Sequence, residues 1–208
     1  AAISTFYSLQ AAQNRFYDQS RFPDVFVTVK RAPLSIVPRL EAIPGVATIE
    51  PRIVKDVIVD WPGSRLPVSA RMISLSDNHG ELARLHLRKG SAPTPGSTDE
   101  VAIAGAFAEA NKVALGSKLR AILNGRLEDF RITGIGLSPE YVQTLRPGLH
   151  IPDDRFFAVA WINREAAEGA FDMEGAFNDA VIRLAPGADA SRVIEDLDRV
   201  LEPYGSVG

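Results

Sequence analysis

Turn-forming dipeptides recur along this 208-residue chain and keep its regular segments short. They are Pro44-Gly45, Pro62-Gly63, Asn124-Gly125 and Pro186-Gly187. Proline and glycine interrupt helices and strands, and Asn-Gly between alternating apolar residues is the strongest local signal for a β-hairpin. The chain is therefore predicted to contain many short strands connected by tight turns, with short helices between them.

Runs that are rich in β-branched or aromatic residues, or that alternate apolar residues, predict the strands. The clearest example precedes Asn124-Gly125, where Leu119, Ala121 and Leu123 recur at every second position. A returning strand follows the turn, so this segment is predicted to be a hairpin. The predicted strands are 25–30, 46–61 with a bend at Pro51, 66–75, 100–104, 118–123, 126–135, 156–162 and 177–184.

Apolar residues at helical spacing, together with capping residues, predict the helices. The last helix is the clearest, because Asp189 can cap it and its apolar residues form one stripe: Val193, Ile194, Leu197, Val200 and Leu201. Such a stripe is typical of a helix packed on a core, although it can also dock a partner. The predicted helices are 1–20, 35–43, 106–113, a short one capped by Asn163 that ends near Phe171, and 189–201.

The order of these segments predicts an α+β fold with two lobes. The two chain ends, 1–76 and 150–208, have similar patterns of strand and helix, and we expect them to form one βαβ-type platform. The middle of the chain, 77–149, is richer in strands and turns. It is predicted to be a smaller β-rich lobe inserted into the platform.

Composition excludes several classes of protein. The chain contains no cysteine, which excludes disulfides, iron–sulfur clusters and thiolate zinc sites. Its formal net charge is −3 and its pI is about 5.7, which argues against a nucleic-acid partner. No stretch is long and apolar enough to cross a bilayer, and the opening run lacks the basic start of a signal peptide.

Motifs for common chemistries are absent from the sequence. There is no G-x-S-x-G nucleophile elbow, no P-loop and no G-x-G-x-x-G fingerprint. The three histidines, His79, His86 and His150, do not have the i, i+4 spacing of metal ligands on one helix face. These absences disfavour a serine hydrolase, and the sequence identifies no catalytic residue, no cofactor and no resident metal.

The segment Ser138-Pro139-Glu140-Tyr141 has two interpretations. Helix capping alone explains its residue types, with Ser138 as the N-cap, Pro139 at the first helical position and Glu140 in the first turn. In the second interpretation, these four residues form a contact surface for a partner or substrate. We keep them as candidate contact residues.

Exposed carboxylates supply further candidate contact residues, namely Asp153, Asp154, Asp172 and Glu174. Asp172, Glu174 and Asp179 also offer oxygen ligands, but their spacing is not that of a calcium loop. An alternative is a hydrolase in which Asp153 or Asp154 pairs with Glu140 or Asp172, because glycosidic chemistry requires only two carboxylates at a suitable separation.

Three passages occur in an order that resembles a known family. They are LRKGSAP at 87–93 leading to EVAI at 100–103, then VALGSKL at 113–119, and then FRITGI at 130–135. This order resembles the periplasmic core domain of MacB/FtsX-type ABC transporter permeases, and the resemblance covers most of the chain. Residues 138–142 and 170–178 further resemble one branch of bacterial permeases in this family.

The resemblance implies a domain on the periplasmic face of the bacterial cytoplasmic membrane, between two membrane helices that flank this chain. It implies that the domain itself is not an enzyme and that a separate cytoplasmic subunit hydrolyses ATP. It also implies that a second permease copy and a periplasmic adaptor protein or a cell-wall hydrolase are partners. The expected function is mechanical coupling, in which ATP turnover moves the external lobes. The alternative is a free-standing periplasmic module that captures a small ligand between its lobes.

Overall fold

The computed structural model describes residues 22–76, 82, 84–142 and 153–205. In this part of the chain, ten strands form two sheets, one with three strands and one with seven. The predicted helix over 1–20 lies outside the described residues, as do His79 and His150.

The smaller sheet is antiparallel and joins the two ends of the described chain. It consists of β1 (Val25–Pro33), β2 (Val46–Arg52) and β10 (Ala176–Leu184), with β10 in the centre. A 3-10 turn (Leu34–Ile36) leads into α1 (Val37–Glu41), and α5 (Ala190–Leu201) is followed by a second 3-10 turn (Glu202–Tyr204). Apolar residues of both helices and all three strands form one buried core, which includes Val29, Leu40, Ile49, Ile182, Val193 and Leu197.

The larger sheet is mixed and takes its strands from the middle of the chain. The strands are β3 (Val54–Asp60), β4 (Val68–Leu75), β5 (His86–Gly90), β6 (Glu100–Ala104), β7 (Lys118–Leu123), β8 (Arg126–Leu137) and β9 (Phe157–Asn163). They pair in the order β5-β8-β6-β9-β4-β3-β7. The helices that accompany them are α2 (Gly105–Ala110), α3 (Pro139–Val142) and α4 (Arg164–Phe171).

The length of β8 lets it close six of these strands into a ring. Its first half pairs antiparallel with β7, for example Phe130 with Leu119, and its second half pairs parallel with β6, for example Gly136 with Ala104. Because β7 also pairs with β3, the strands β8, β6, β9, β4, β3 and β7 form a closed ring in which the last strand pairs with the first. The core of this ring includes Met72, Val101, Ile103, Phe107, Leu119 and Ile132.

Two glycines of β8 allow β5 to lie close beside it. A Cβ at Gly134 would clash with the carbonyl oxygen of Ser91, and one at Gly136 would clash with the carbonyl oxygen of His86. The strand was expected to end near these glycines, but it continues through them to Leu137. They serve close approach of a neighbouring backbone, which only glycine permits.

The α+β class predicted from the sequence is confirmed, and the structure also shows how the predicted lobes share strands. Strands β3, β4 and β9 come from 1–76 and 150–208, yet they pair in one sheet with β5 to β8 from 77–149. The predicted boundaries therefore do not separate the two sheets. The reason is long-range pairing, above all the parallel pairing of β4 with β9, which no local pattern reveals.

Candidate functional site

The chain passes from the smaller sheet to the larger one at Ile53, which is 1% exposed. The N–H of Ile53 donates to Ser74 Oγ over 2.8 Å, and its carbonyl accepts the N–H of Ser74 over 2.9 Å. At the next residue, Val54, the backbone N–H and C=O both bind the side-chain amide of Asn178 over 2.8 Å. Hydrogen bonding is thus continuous across the crossing, although no strand of one sheet pairs with a strand of the other.

A buried arginine lies beside this crossing. Arg52 donates from Nε to Asp179 Oδ1 over 2.7 Å and from its two terminal nitrogens to the carboxylate of Glu140 over 2.7 and 3.1 Å. The three side chains are 9%, 15% and 16% exposed. Burial alone lowers the pKa of Arg52, but the two carboxylates outweigh it and the pKa is raised, so this guanidinium is permanently charged.

The two carboxylates reach Arg52 from different parts of the fold. Asp179 lies directly opposite Arg52 in the pairing of β10 with β2, so both belong to the smaller sheet. Glu140 belongs to α3, which directly follows β8 of the larger sheet. The Glu140–Arg52 ion pair therefore joins α3 to the smaller sheet.

The neighbouring residue Tyr141 joins α3 to the larger sheet. The pKa of Arg71 in β4 is raised mainly by its hydrogen bonds to Asp56, with a smaller contribution from Tyr141. The Tyr141 ring meets Trp161 of β9 edge-on with 6.4 Å between centroids. Burial raises the pKa of Tyr141 well above its usual value, with a further contribution from Glu140. Arg71 also binds Asp56 of β3 over 2.8 and 3.0 Å.

These side chains form one polar cluster at the boundary between the sheets. We call it the arginine junction, and it consists of Arg52, Arg71, Asp56, Asp179, Glu140 and Tyr141. Its ion pairs join α3 and strands of both sheets electrostatically.

The chain returns to the smaller sheet through α4 and the turn at 172–175. Arg164 at the start of α4 donates to the carbonyls of Ala176 and Pro51 over 2.5 and 3.5 Å and binds Glu168 over 2.8 Å. Asp172 ends the helix in a left-handed conformation, with φ of 52°. Arg164 therefore ties the second crossing to the smaller sheet.

The structure brings four of the eight candidate contact residues together. Ser138 and Pro139 are buried at the end of β8, and Glu140 and Tyr141 are half-buried in the arginine junction. Helix α3 begins at Pro139, and the backbone carbonyl of Ser138 accepts the N–H of Tyr141 over 3.1 Å, while the capping role of the Ser138 side chain stays a prediction. The contact role of these residues stays a prediction.

The other four candidates, Asp153, Asp154, Asp172 and Glu174, are exposed and lie away from the arginine junction's ion pairs. Asp153 binds Arg155 over 2.6 Å, and this hydrogen bond lowers the pKa of Asp153 to about 2. Asp172 accepts from Asn124 over 2.7 Å. Of the carboxylates named for the hydrolase alternative, Asp153, Asp172 and Glu140 are thus bound to different partners.

Sequence reasoning missed the arginines of the junction. Asp179 was grouped with Asp172 and Glu174 as an oxygen ligand, whereas the structure places it opposite Arg52. One signal was available, because Asn178 and Asp179 interrupt an otherwise apolar strand. Polar residues inside a buried strand need partners. Here Asn178 binds Val54 of the larger sheet, and Asp179 binds Arg52 within the smaller sheet.

Asn163 has the position predicted for it but a different role. It precedes α4 as the N-cap residue, yet its side chain makes no capping hydrogen bond. Its amide instead donates to the carbonyls of Thr94 and Ser97 over 2.6 and 2.9 Å. The side chain therefore fixes the loop before β6 rather than the helix terminus.

Two further findings concern metals and membranes. Across the described ranges, no group of three or more histidine, aspartate or glutamate side chains could hold a metal ion. Among the helices of those same ranges, none has the length and apolar character needed to cross a membrane.

Comparison with known proteins gives matches in structure. No protein-family model matches the chain, and no curated protein matches it in sequence. The extracellular domain of the noncanonic ABC-type transporter YknZ from Gram-positive bacteria is 12% identical, with a TM-score of 0.50 over 84% of this chain and 82% of that one. The periplasmic region of MacB from Actinobacillus actinomycetemcomitans is 11% identical, with a TM-score of 0.54 over 88% and 86%. The chain therefore has the fold of these extracytoplasmic transporter domains, as its resemblance to MacB/FtsX-type permeases predicts.

Proposed function

We propose that this chain is the extracytoplasmic domain of an ABC transporter permease subunit. The observation that carries the proposal is the extent of the structural match, which covers 88% of this chain and 86% of the MacB periplasmic region. The order of the three sequence passages supports the same assignment independently of the fold.

In this proposal the domain is not catalytic. A cytoplasmic ATP-binding subunit hydrolyses ATP, and a membrane part outside this chain carries the movement to the periplasmic face. A second permease copy and a periplasmic adaptor protein or cell-wall hydrolase are the proposed partners. The two sheets, joined by two short crossings, support such a role because they can change their relative orientation without losing their separate cores.

Labelling of an introduced cysteine tests the location. The chain has no cysteine, so Thr98→Cys in an exposed loop gives one reactive thiol in this domain of the full reading frame. We expect a membrane-impermeant maleimide to label it in intact bacterial cells. The matched control is Ala160→Cys, because Ala160 is 0% exposed and its thiol stays unlabelled in the folded domain. Labelling of Thr98→Cys only after lysis would contradict the proposal.

The same variant distinguishes the permease domain from a free-standing ligand-binding module. A permease domain stays with the membrane fraction, and its reading frame carries an apolar span of about 20 residues on each side. A free-standing module is labelled in intact cells but is released by osmotic shock. Release in soluble form would replace the permease assignment with the module.

A further inference from the structure

We propose that α3 is a releasable clip across the two sheets: it detaches from the arginine junction while both sheets stay folded. This inference concerns the domain itself and does not depend on the proposed function. It rests on two arginines, Arg52 and Arg71. Each interacts with a residue of α3 and also binds a carboxylate on a neighbouring strand.

Each arginine keeps a carboxylate partner when α3 leaves. Arg52 retains Asp179 at 2.7 Å, and Arg71 retains Asp56 at 2.8 Å. Removing the only partner of a buried charge is strongly destabilising, but neither arginine here depends on α3 alone. Release of α3 therefore exchanges the second contact of each arginine for water and leaves no unpaired guanidinium in the fold.

The helix itself has little intrinsic stability. It contains four residues, Pro139–Val142, which is far below the length at which a helix is stable on its own. Its position depends on the ion pair from Glu140 to Arg52 and on the contacts of Tyr141 with Arg71 and Trp161. These contacts of Glu140 and Tyr141 are the ones that release breaks.

The surface under α3 has its own apolar cluster, which is separate from the cores of the ring and of the smaller sheet. Ile73, Val159 and Trp161 are buried there, and Tyr141 packs against them. Trp161 is 3% exposed. The other tryptophan, Trp61, packs edge-on against Phe107 in the ring core. Release of α3 thus removes the Tyr141 ring from Trp161 and leaves the surroundings of Trp61 unchanged.

Fluorescence of Trp161 tests the clip. In a Trp61→Phe background, Trp161 is the sole tryptophan of the domain, and its quenching by acrylamide reports whether α3 covers it. We expect Glu140→Gln to increase this quenching and to shift the emission to longer wavelength. The matched control is Glu109→Gln, which removes one carboxylate from an exposed pair with Arg88 at 3.8 Å. Unchanged quenching in Glu140→Gln would overturn the proposal.

Amide hydrogen exchange separates local release from general loss of stability. In Glu140→Gln, protection of the Tyr141 amide should fall about tenfold or more, the loss expected when a hydrogen bond to a charged group is removed. Protection of strand amides in β4 and β9 should stay as in the unmodified domain. An equal fall in the strands would show that α3 is an integral part of the core, which overturns the proposal.

A second variant tests the interaction of Tyr141 with Arg71. Tyr141→Phe keeps the ring that packs edge-on against Trp161 but removes the hydroxyl, and with it the electrostatic contribution of Tyr141 to Arg71. We expect a smaller increase in exchange at α3 than Glu140→Gln produces, and the double variant should show the largest increase. If amide exchange at α3 in the double variant equals that in the unmodified domain, the proposal is wrong.

Discussion

The side-chain amide of Asn178 pairs with the backbone of Val54 as a neighbouring strand residue would. Its Nδ2 donates to the Val54 carbonyl and its Oδ1 accepts the Val54 N–H, both over 2.8 Å. One side chain thereby connects β10 to β3 and satisfies two backbone groups beside Ile53. The junction of the sheets thus contains a contact that can be removed by a single substitution.

Replacement of Asn178 by alanine should lower the free energy of unfolding by about 2–4 kcal/mol, because it leaves a backbone donor and acceptor unpaired at a largely buried position. Urea denaturation measures this loss. Asn111→Ala is the matched control, since the Asn111 amide donates only to the carbonyls of Phe107 and Arg155 at a less buried position and should lose less. Equal stability of Asn178→Ala and the unmodified domain would contradict the pairing.

Alanine at Gly134 should destabilise the domain by about 1–3 kcal/mol, because the added methyl group has no space between β8 and β5. It would collide with the Ser91 carbonyl and lie 2.8 Å from Leu87 Cδ2. Gly169→Ala in α4 is the control, since no atom lies within 4 Å of its Cβ position and a helix favours alanine. Thermal unfolding should rank Gly134→Ala clearly below Gly169→Ala.

The two faces of α5 should respond differently to truncation. Leu197 is 1% exposed in the core of the smaller sheet, so Leu197→Ala should cost about 2–5 kcal/mol of stability. Ile194 was part of the predicted apolar stripe but is 43% exposed, and Ile194→Ala should change stability by less than about 1 kcal/mol. Similar losses in denaturant unfolding would show that α5 is rotated from this orientation.

Acid should weaken the β7–β8 hairpin through Asp129. Hydrogen bonds from Arg120, and also from Lys118, lower the pKa of Asp129 to about 2. Since the folded pKa lies below the ordinary value of 3.8, this contribution to stability is complete above pH 4 and is lost as the pH falls towards 2. The free energy of unfolding, measured between pH 5 and 2, should therefore fall more steeply in the unmodified domain than in Asp129→Asn. Parallel curves for the two proteins would show that folding does not lower the pKa of Asp129.

Local signals predicted much of the secondary structure. The hairpin around Asn124-Gly125 forms as expected from β7 and β8. The side chain of Asp189 caps α5 by accepting the N–H groups of Ser191 and Arg192 over 3.1 and 3.4 Å. These features depend on residues close in sequence, so the pattern of the sequence is sufficient to reveal them.

Features that join distant segments could not be predicted in the same way. Ser69 of β4 aligns with Phe157 of β9 in a parallel pairing, and neither strand carries a local sign of the other. The partners of Arg52 come from α3 and β10, so its burial as an ion pair follows only from the assembled fold. The sequence indicates polar residues in buried strands, but it does not indicate which of them meet.

Closure of the six strands around β8 has a mechanical consequence. An edge strand of an open sheet is hydrogen-bonded to one neighbour only. In this ring, each of the six strands is hydrogen-bonded on both sides. A load on one strand of the ring is therefore passed to both of its neighbours and shared around the circumference.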